Sequence, residues 1–268
     1  MTTCIDNNTG HRTIVVYSGG YDSTYVLAGL VAEANDGDTI CALSVNHSLT
    51  GMMKLRREYE SQLLILRELR KRYPKVNIEH EVIKVESNWI SGPTTNSTGL
   101  AQPILWVCNI LPLLSTGDKL YFGYNLSDQA HIHLDDIKSL VDAACKIQNN
   151  KNIELIYPLK YYTKTEVVRL MIDDFPYLVD LCTSCESLRY EGEKVCGECT
   201  PCTHLKEALM NISLDKSQSS EKAAAMLKEL FGLTISVSYD DQLKELSSTD
   251  VVDDKNEVLN NDNSIDCE

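Results

Sequence analysis

No apolar run in this chain approaches the roughly 20 residues needed to cross a bilayer. The opening stretch MTTCIDNNTG has neither the basic start nor the apolar core of a signal peptide. Membrane insertion and export are therefore not expected, and a cytoplasmic location is. Positive charge is scarce as well: 25 Lys and Arg stand against 39 Asp and Glu, for a net charge of -14. A tight nucleic-acid binder needs basic surface to displace counterions, so this balance counts against nucleic acid as a partner. The Gly-Lys-Ser/Thr ending of a Walker loop is also missing, which counts against ordinary γ-phosphate transfer.

The composition that remains is that of a globular domain. Hydrophobic residues make up 43% of the 268 positions and charged residues 24%, enough for one main domain with an appendage. Three stretches are expected: an α/β domain over 1–180, a cysteine-rich and helical segment over 181–237, and an acidic tail over 238–268. Residues 240–268 hold ten acidic side chains against Lys244 and Lys255, about eight of the net negative charges. With no aromatic after Tyr239, that composition predicts a solvated, largely disordered tail.

Short β-branched runs at Thr13–Tyr17, Thr39–Val45 and Ile78–Val85 read as strands, and Lys119–Tyr124 and Ile153–Tyr157 as two more. Helical patterns fall between them at Ser23–Ala34, Leu55–Tyr73, Ile104–Leu114, Leu134–Gln148 and Lys164–Asp173. Alternation of this kind predicts an α/β fold with a doubly wound parallel sheet. Residues 87–103, with Gly92-Pro93 and Gly99, are too rich in breakers for a helix and read as a loop over the site.

The first strand breaks into Ser18-Gly19-Gly20 and opens directly into a helix. Backbone N–H groups gather at such a junction, and the positive end of the helix dipole favours an anion there, phosphate above all. The two glycines allow close approach, Ser18 and Ser23 offer hydroxyl donors, and Asp22 can organise magnesium through oxygen. A lone Gly-Gly turn says little; the complete SGGYDST string at the first strand–helix junction says much more.

Five of the ten cysteines lie between Cys182 and Cys202. Thiolates in two nearby turns can close a tetrahedron around zinc, and in reducing cytosol such a cluster favours metal over disulfides. Cys185, Cys196, Cys199 and Cys202 are the chosen ligands, with Cys182 as bystander or as the fourth ligand in place of Cys185. Unliganded or redox-active thiols and an iron–sulfur cluster stay open. Four thiolates leave no open coordination position, so the role expected of the zinc is structural. Cys4, Cys41, Cys108, Cys145 and Cys267 are scattered and carry no expected task.

The SGGYDS string resembles the SGGxDS signature of the PP-loop ATP pyrophosphatases. Three further tracts accompany it: Gly123-Tyr124-Asn125-Leu126-Ser127-Asp128, Pro158-Leu159 with Thr163-Lys164, and Cys185 to Cys202. Together, over roughly residues 13–210, they look like the 7-cyano-7-deazaguanine synthase family of queuosine biosynthesis. The resemblance implies an adenine nucleotide alpha hydrolase-like fold and an ATP loop from Tyr17 to Leu27. Tyr17, Ser18, Gly19, Gly20, Tyr21, Asp22, Ser23 and Thr24 would meet the nucleotide, with Asp22 and Ser23 catalytic. ATP, Mg2+ and Zn2+ are the implied cofactors, and a deazapurine carboxylate and ammonia the implied small-molecule partners. Lys164 could meet phosphate or stand as a solvated surface lysine. The oligomeric state stays open, a homodimer included.

The chain departs from the family pattern where the base should be read, at Leu100-Ala101-Gln102-Pro103, Ala130-His131-Ile132-His133-Leu134-Asp135-Asp136 and Thr183-Ser184-Cys185-Glu186. His131, His133, Asp135 and Asp136 are candidate acid–base groups or surface residues, and His47 a candidate neighbour of adenine or a surface histidine. Three functions remain in view: a nitrile- or amide-forming ligase on this or another deazapurine-related substrate, a PP-loop enzyme of tRNA thiolation or amidation, and a non-catalytic binding module.

Overall fold

The computed structural model describes residues 11–47, 52–85, 101–148, 151–187, 194–215 and 217–235. Five parallel strands form one sheet: β1 (Thr13–Val16), β2 (Thr39–His47), β3 (Asn77–Val85), β4 (Lys119–Tyr121) and β5 (Glu154–Ile156), in the order β3-β2-β1-β4-β5. Seven α-helices are present among the described residues: α1 (Tyr21–Glu33), α2 (Met52–Arg72), α3 (Ala101–Ile110), α4 (Leu134–Ile147), α5 (Lys164–Asp174), α6 (Thr200–Leu214) and α7 (Ser220–Phe231). This is the doubly wound α/β architecture expected from the alternation of strands and helices.

Successive side chains of a strand point to opposite faces, and the two cores follow that alternation. Val15 and Tyr17, with Ile40 and Ala42, enter one apolar cluster together with α1, α2, α5, α6 and α7. Ile14 and Val16, with Cys41 and Leu43, enter the other, beneath α3 and α4. Each fully buried aliphatic side chain of this kind contributes about 1.5–3 kcal/mol relative to leaving it in water. Arg12 anchors the start of β1 by an ion pair to the buried Asp118 at 2.6 Å, ahead of β4.

The chain runs outward from β1 to β3, then crosses back to place β4 on the other side of β1. Strand order reverses between β1 and β4, and in open α/β sheets a crevice forms there at the carboxyl ends of the strands. The loops leaving β1 and β4 are the phosphate loop and the Gly123–Asp128 tract.

Most helix boundaries fall within a few residues of the sequence expectation. The helix expected over Ile104–Leu114 is α3 closing in a 3-10 turn at Leu111–Leu113, where Pro112 enters. His131–His133, expected in a loop, form a 3-10 turn leading into α4. α5 begins with a capping box between Thr163 and Glu166, which satisfies amides the first helical turn leaves open. α6 and α7 pack on one another and α6 on α5, inside a compact unit that ends at Ile235. The loop expected at 87–103 falls largely, and the tail at 238–268 wholly, outside the described residues. Among the described residues no helix is long and apolar enough to cross a membrane.

Candidate active site

β1 gives way to the loop after Val16. Gly19 has φ +81, a conformation that a side chain makes costly. A Cβ on Gly19 would also stand 3.2 Å from Ser61 and Gln62 of α2, and one on Gly20 would stand 3.2 Å from the Thr183 carbonyl. The loop is thus wedged between α2 and the 181–184 segment, and Thr183 N–H donates to the Gly19 carbonyl at 3.0 Å. Ser18 and Ser23 hydroxyls lie 3.0 Å apart, and the Ser18 amide donates to Ser23 Oγ at 3.2 Å. The amides of the first turn of α1 have no acceptor within the helix, so the junction presents donors to an anion.

Asp22 stands in that first turn. Its Oδ2 receives the Lys164 ammonium at 2.5 Å and its Oδ1 receives Asn125 Nδ2 at 3.0 Å. Asn125 is fully buried, and its amide donates to Asp128 Oδ2 at 2.7 Å. Ser127 Oγ accepts the Lys164 amide at 3.1 Å. Gly123 makes this junction possible: a Cβ there would lie 2.9 Å from the backbone of Asp22 and Ser23. Burial, then the charge of Asp22, pushes the Asp128 carboxyl up to about 6 despite the Asn125 amide. Two carboxylates beside a phosphate loop fit the one or two that magnesium takes alongside phosphate oxygens. Lys164, only 9% exposed, is no solvated surface lysine.

These groups line a cleft of about 300 Å³. Of the expected nucleotide contacts, Ser18, Gly20, Asp22, Ser23 and Lys164 face it. Tyr17, Tyr21 and Thr24 do not: their side chains are 2%, 3% and 0% exposed, and the two tyrosines belong to the core beneath α1. Gly19 shapes the loop from behind. His131 and His133 also stand off the cleft, with Nε2 of His131 on the Lys160 carbonyl at 2.8 Å and Nδ1 of His133 on Asp136 at 3.2 Å. Asp136 is exposed, and of that tract only Ala130 reaches the cleft. His47 ends β2.

The sulfurs of Cys185, Cys196, Cys199 and Cys202 lie within 4.8 Å of one another. A single zinc with bonds of about 2.3 Å to four thiolates sets them roughly 3.8 Å apart, and Cys196 and Cys202 stand 3.9 Å apart. Backbone amides already point at these sulfurs: Cys196 N–H at Cys185 Sγ, 3.2 Å, and Cys199 N–H at Cys196 Sγ, 3.3 Å. Burial pushes the Cys196 thiol up, but the amides of Glu198 and Cys199 bring it down to about 7, toward the thiolate a metal requires. A 4Fe-4S cube, which gives each thiolate its own iron, needs the sulfurs spread wider than one ion does. Cys182 lies apart, its thiol on the Leu178 carbonyl at 3.5 Å and pushed up to about 12 by burial. Cys41 and Cys145 are buried in the β1–α4 core and Cys108 is exposed, and the described cysteines form no disulfide.

Several cleft residues carry no contiguous motif. Lys54 and Glu58 come from one face of α2, Trp106 from α3, Glu186 from beside Cys185, and His204 from the first turns of α6. The i, i+4 spacing of Lys54 and Glu58 marks a shared helix face, but not which cleft it borders.

No family model matches the chain. It is 26% identical over 222 residues to 7-cyano-7-deazaguanine synthase from Marinomonas sp. (strain MWYL1), covering 74% of this chain and 92% of that relative. Among solved structures it is similar to the U34-tRNA thiolase NcsA from Methanococcus maripaludis with its 4Fe-4S cluster, at a TM-score of 0.41 and 17% identity, over 90% of this chain and 78% of that one. The chain is thus similar to 7-cyano-7-deazaguanine synthase over most of both lengths, which supports an enzyme.

Proposed function

We propose that this protein is an ATP-dependent C–N ligase that converts 7-carboxy-7-deazaguanine and ammonia to 7-cyano-7-deazaguanine, in the cytoplasm. The observation that carries the reading is the Asp22, Lys164 and Asn125 cluster set on the first turn of α1 beside the donors of Ser18–Ser23. A carboxylate is a poor electrophile, so its oxygen attacks the α-phosphate of ATP, the α–β bridge breaks, and pyrophosphate departs. Ammonia then displaces AMP from the acyl adenylate and leaves an amide. Activation of the amide oxygen in the same way lets AMP leave with that oxygen, and loss of two protons gives the nitrile.

In this chemistry the loop amides and the Ser18 and Ser23 hydroxyls hold the phosphates that leave, and donors fixed in advance on developing charge are often the largest contribution to rate. Lys164, which lines the cleft beside Asp22, would offer its ammonium to a phosphate oxygen. Mg2+ would be held by Asp22, with Asp128 within reach of the same cluster, and supplies neutralisation of the pyrophosphate. Zn2+ would be held by the four cysteines, closed to substrate, and would secure the side of the cleft formed by Thr183, Ser184, Glu186 and His204.

Purified protein incubated with ATP, Mg2+, ammonium and 7-carboxy-7-deazaguanine tests the reading by mass spectrometry of the base. The expected result is the nitrile, with the amide as a transient. ATP turnover that appears only with tRNA would transfer the assignment to tRNA modification, and no turnover with either would leave a binding module.

A further inference from the structure

The cysteine knuckle is more than a clamp, because the residues around it form one wall of the cleft. Thr183, Ser184 and Glu186 lead into it, and His204 follows it. Glu186 directly succeeds Cys185, and its amide points at Cys199 Sγ, 3.5 Å away. Its carboxylate reaches toward α2, where Lys54 Nζ stands 3.6 Å from Glu186 and 3.6 Å from Glu58. Both distances are ion pairs without a hydrogen bond. Among the described residues one ammonium therefore serves two carboxylates, and the wall carries an acceptor in excess. Glu186 is the more open of the two, 51% exposed against 21% for Glu58. Beside it, the buried hydroxyl oxygens of Thr183 and Ser184 have no hydrogen-bond partner among the described residues. The same cleft is bordered by the rings of Trp106 and Tyr124, the latter stacked on Phe122 at 5.3 Å and 8°.

Surplus acceptors next to aromatic rings suit a planar heterocycle with adjacent N–H donors. We propose that Glu186, held in register by the knuckle, is a specificity-determining residue that takes the paired ring N–H and exocyclic amine of a 2-aminopyrimidinone edge. The assignment rests on the ligase reading above and names how its acceptor is chosen. A carboxylate can take two parallel N–H donors at once, and hydrogen bonds to a charged group are worth about 1.5–3 kcal/mol, roughly tenfold to a hundredfold in affinity.

The test is calorimetry on the full-length protein saturated with Mg2+ and α,β-methylene ATP, titrated with 7-carboxy-7-deazaguanine and with the same compound lacking its exocyclic amine. The wild-type protein is expected to prefer the amino compound by at least about tenfold. Glu186→Gln keeps one acceptor but turns a donor on the ring N–H, so the preference should fall to about threefold or less, with nucleotide affinity, metal content and melting temperature unchanged. Glu186→Asp, which keeps the charge and shortens the reach, should fall between the two. A Glu186→Gln protein with undiminished preference overturns the proposal, as does a wild-type protein that binds both compounds equally; the ligase reading survives either result. A wild-type protein that binds nucleotide but neither compound removes the ligase reading, and this proposal with it.

Discussion

Where the cleft meets the loop after β1, its polar groups come from consecutive residues, Ser18 to Ser23, and largely from their backbone. The wall beside α2 and the knuckle instead collects side chains from far apart in the chain: Lys54, Glu58, Glu186 and His204. Backbone donors at a helix N-terminus take any phosphate group of the right size. Side chains brought together by folding can be exchanged one at a time without disturbing the loop. The proposed reading assigns catalytic power to the first region and choice of acceptor to the second, and the departures from the family pattern at Thr183–Glu186 fall in the second.

The most severe break of that comparison is Asp22→Asn. Asp22 is not the isolated carboxylate of an open turn but is 22% exposed and paired with Lys164. Truncation to alanine would strand the ammonium, a cost unrelated to chemistry; asparagine keeps the shape and removes the charge. We expect kcat to fall about 10²–10³-fold, with the melting temperature within a few degrees of wild type. Stopped-flow or steady-state rates of pyrophosphate release check this, and near-normal turnover would remove Asp22 from the machinery.

Next comes Cys199→Ser. Metal analysis of the wild-type protein should give about one zinc per chain and no visible chromophore from iron. The variant should lose most of it and melt at least about 5 °C lower. Because Glu186 hangs on Cys199 through its amide, acceptor affinity should drop more than nucleotide affinity, which sharpens the division between the two regions. A metal-free, fully stable wild-type protein would contradict the zinc assignment.

A smaller loss is expected from Gly123→Ala. Its methyl would sit 2.9 Å from the backbone of Asp22 and Ser23, which yields less easily than a side chain. Overpacking of this kind costs about 1–3 kcal/mol, read by denaturant unfolding, and should weaken the nucleotide while sparing zinc content.

The smallest effect concerns His80, on β3 with Nε2 3.1 Å from Ser44 Oγ, which does not line the cleft. Burial, then the charge of Arg70, lowers its pKa from 6.5 to about 4. The unfolded chain therefore takes up the proton first, so the contribution of His80 is complete above about pH 6.5 and is lost as pH falls toward about 4. His80→Gln should flatten that part of the stability-versus-pH curve and leave activity near neutrality unchanged; thermal melts from pH 4 to 8 read the difference.

The strands and helices were legible because each carries its own periodicity, and SGGYDS because six neighbours in sequence make up the whole loop. The family resemblance carried Tyr17, Tyr21 and Thr24 along with the motif, yet helical geometry turns Tyr21, Thr24, Ala28 and Val31 inward as one stripe of α1. Lys164 could not be told from a surface lysine without knowing that the start of α5 lies against Asp22. The gathering of Cys185 with the other three thiols, and not Cys182, follows from the turn that sends the Cys182 side chain into the core. Lys54, Glu186 and His204 left no local signal, since only the packing of α2 against the knuckle segment makes them neighbours of one cleft.

The central claim is that ATP is cleaved between its α- and β-phosphates by a carboxylate oxygen. 7-Carboxy-7-deazaguanine labelled with ¹⁸O in its carboxylate, incubated with the protein, ATP, Mg2+ and ammonium, should yield pyrophosphate together with AMP carrying the label. ADP and inorganic phosphate, or AMP without label, would contradict it.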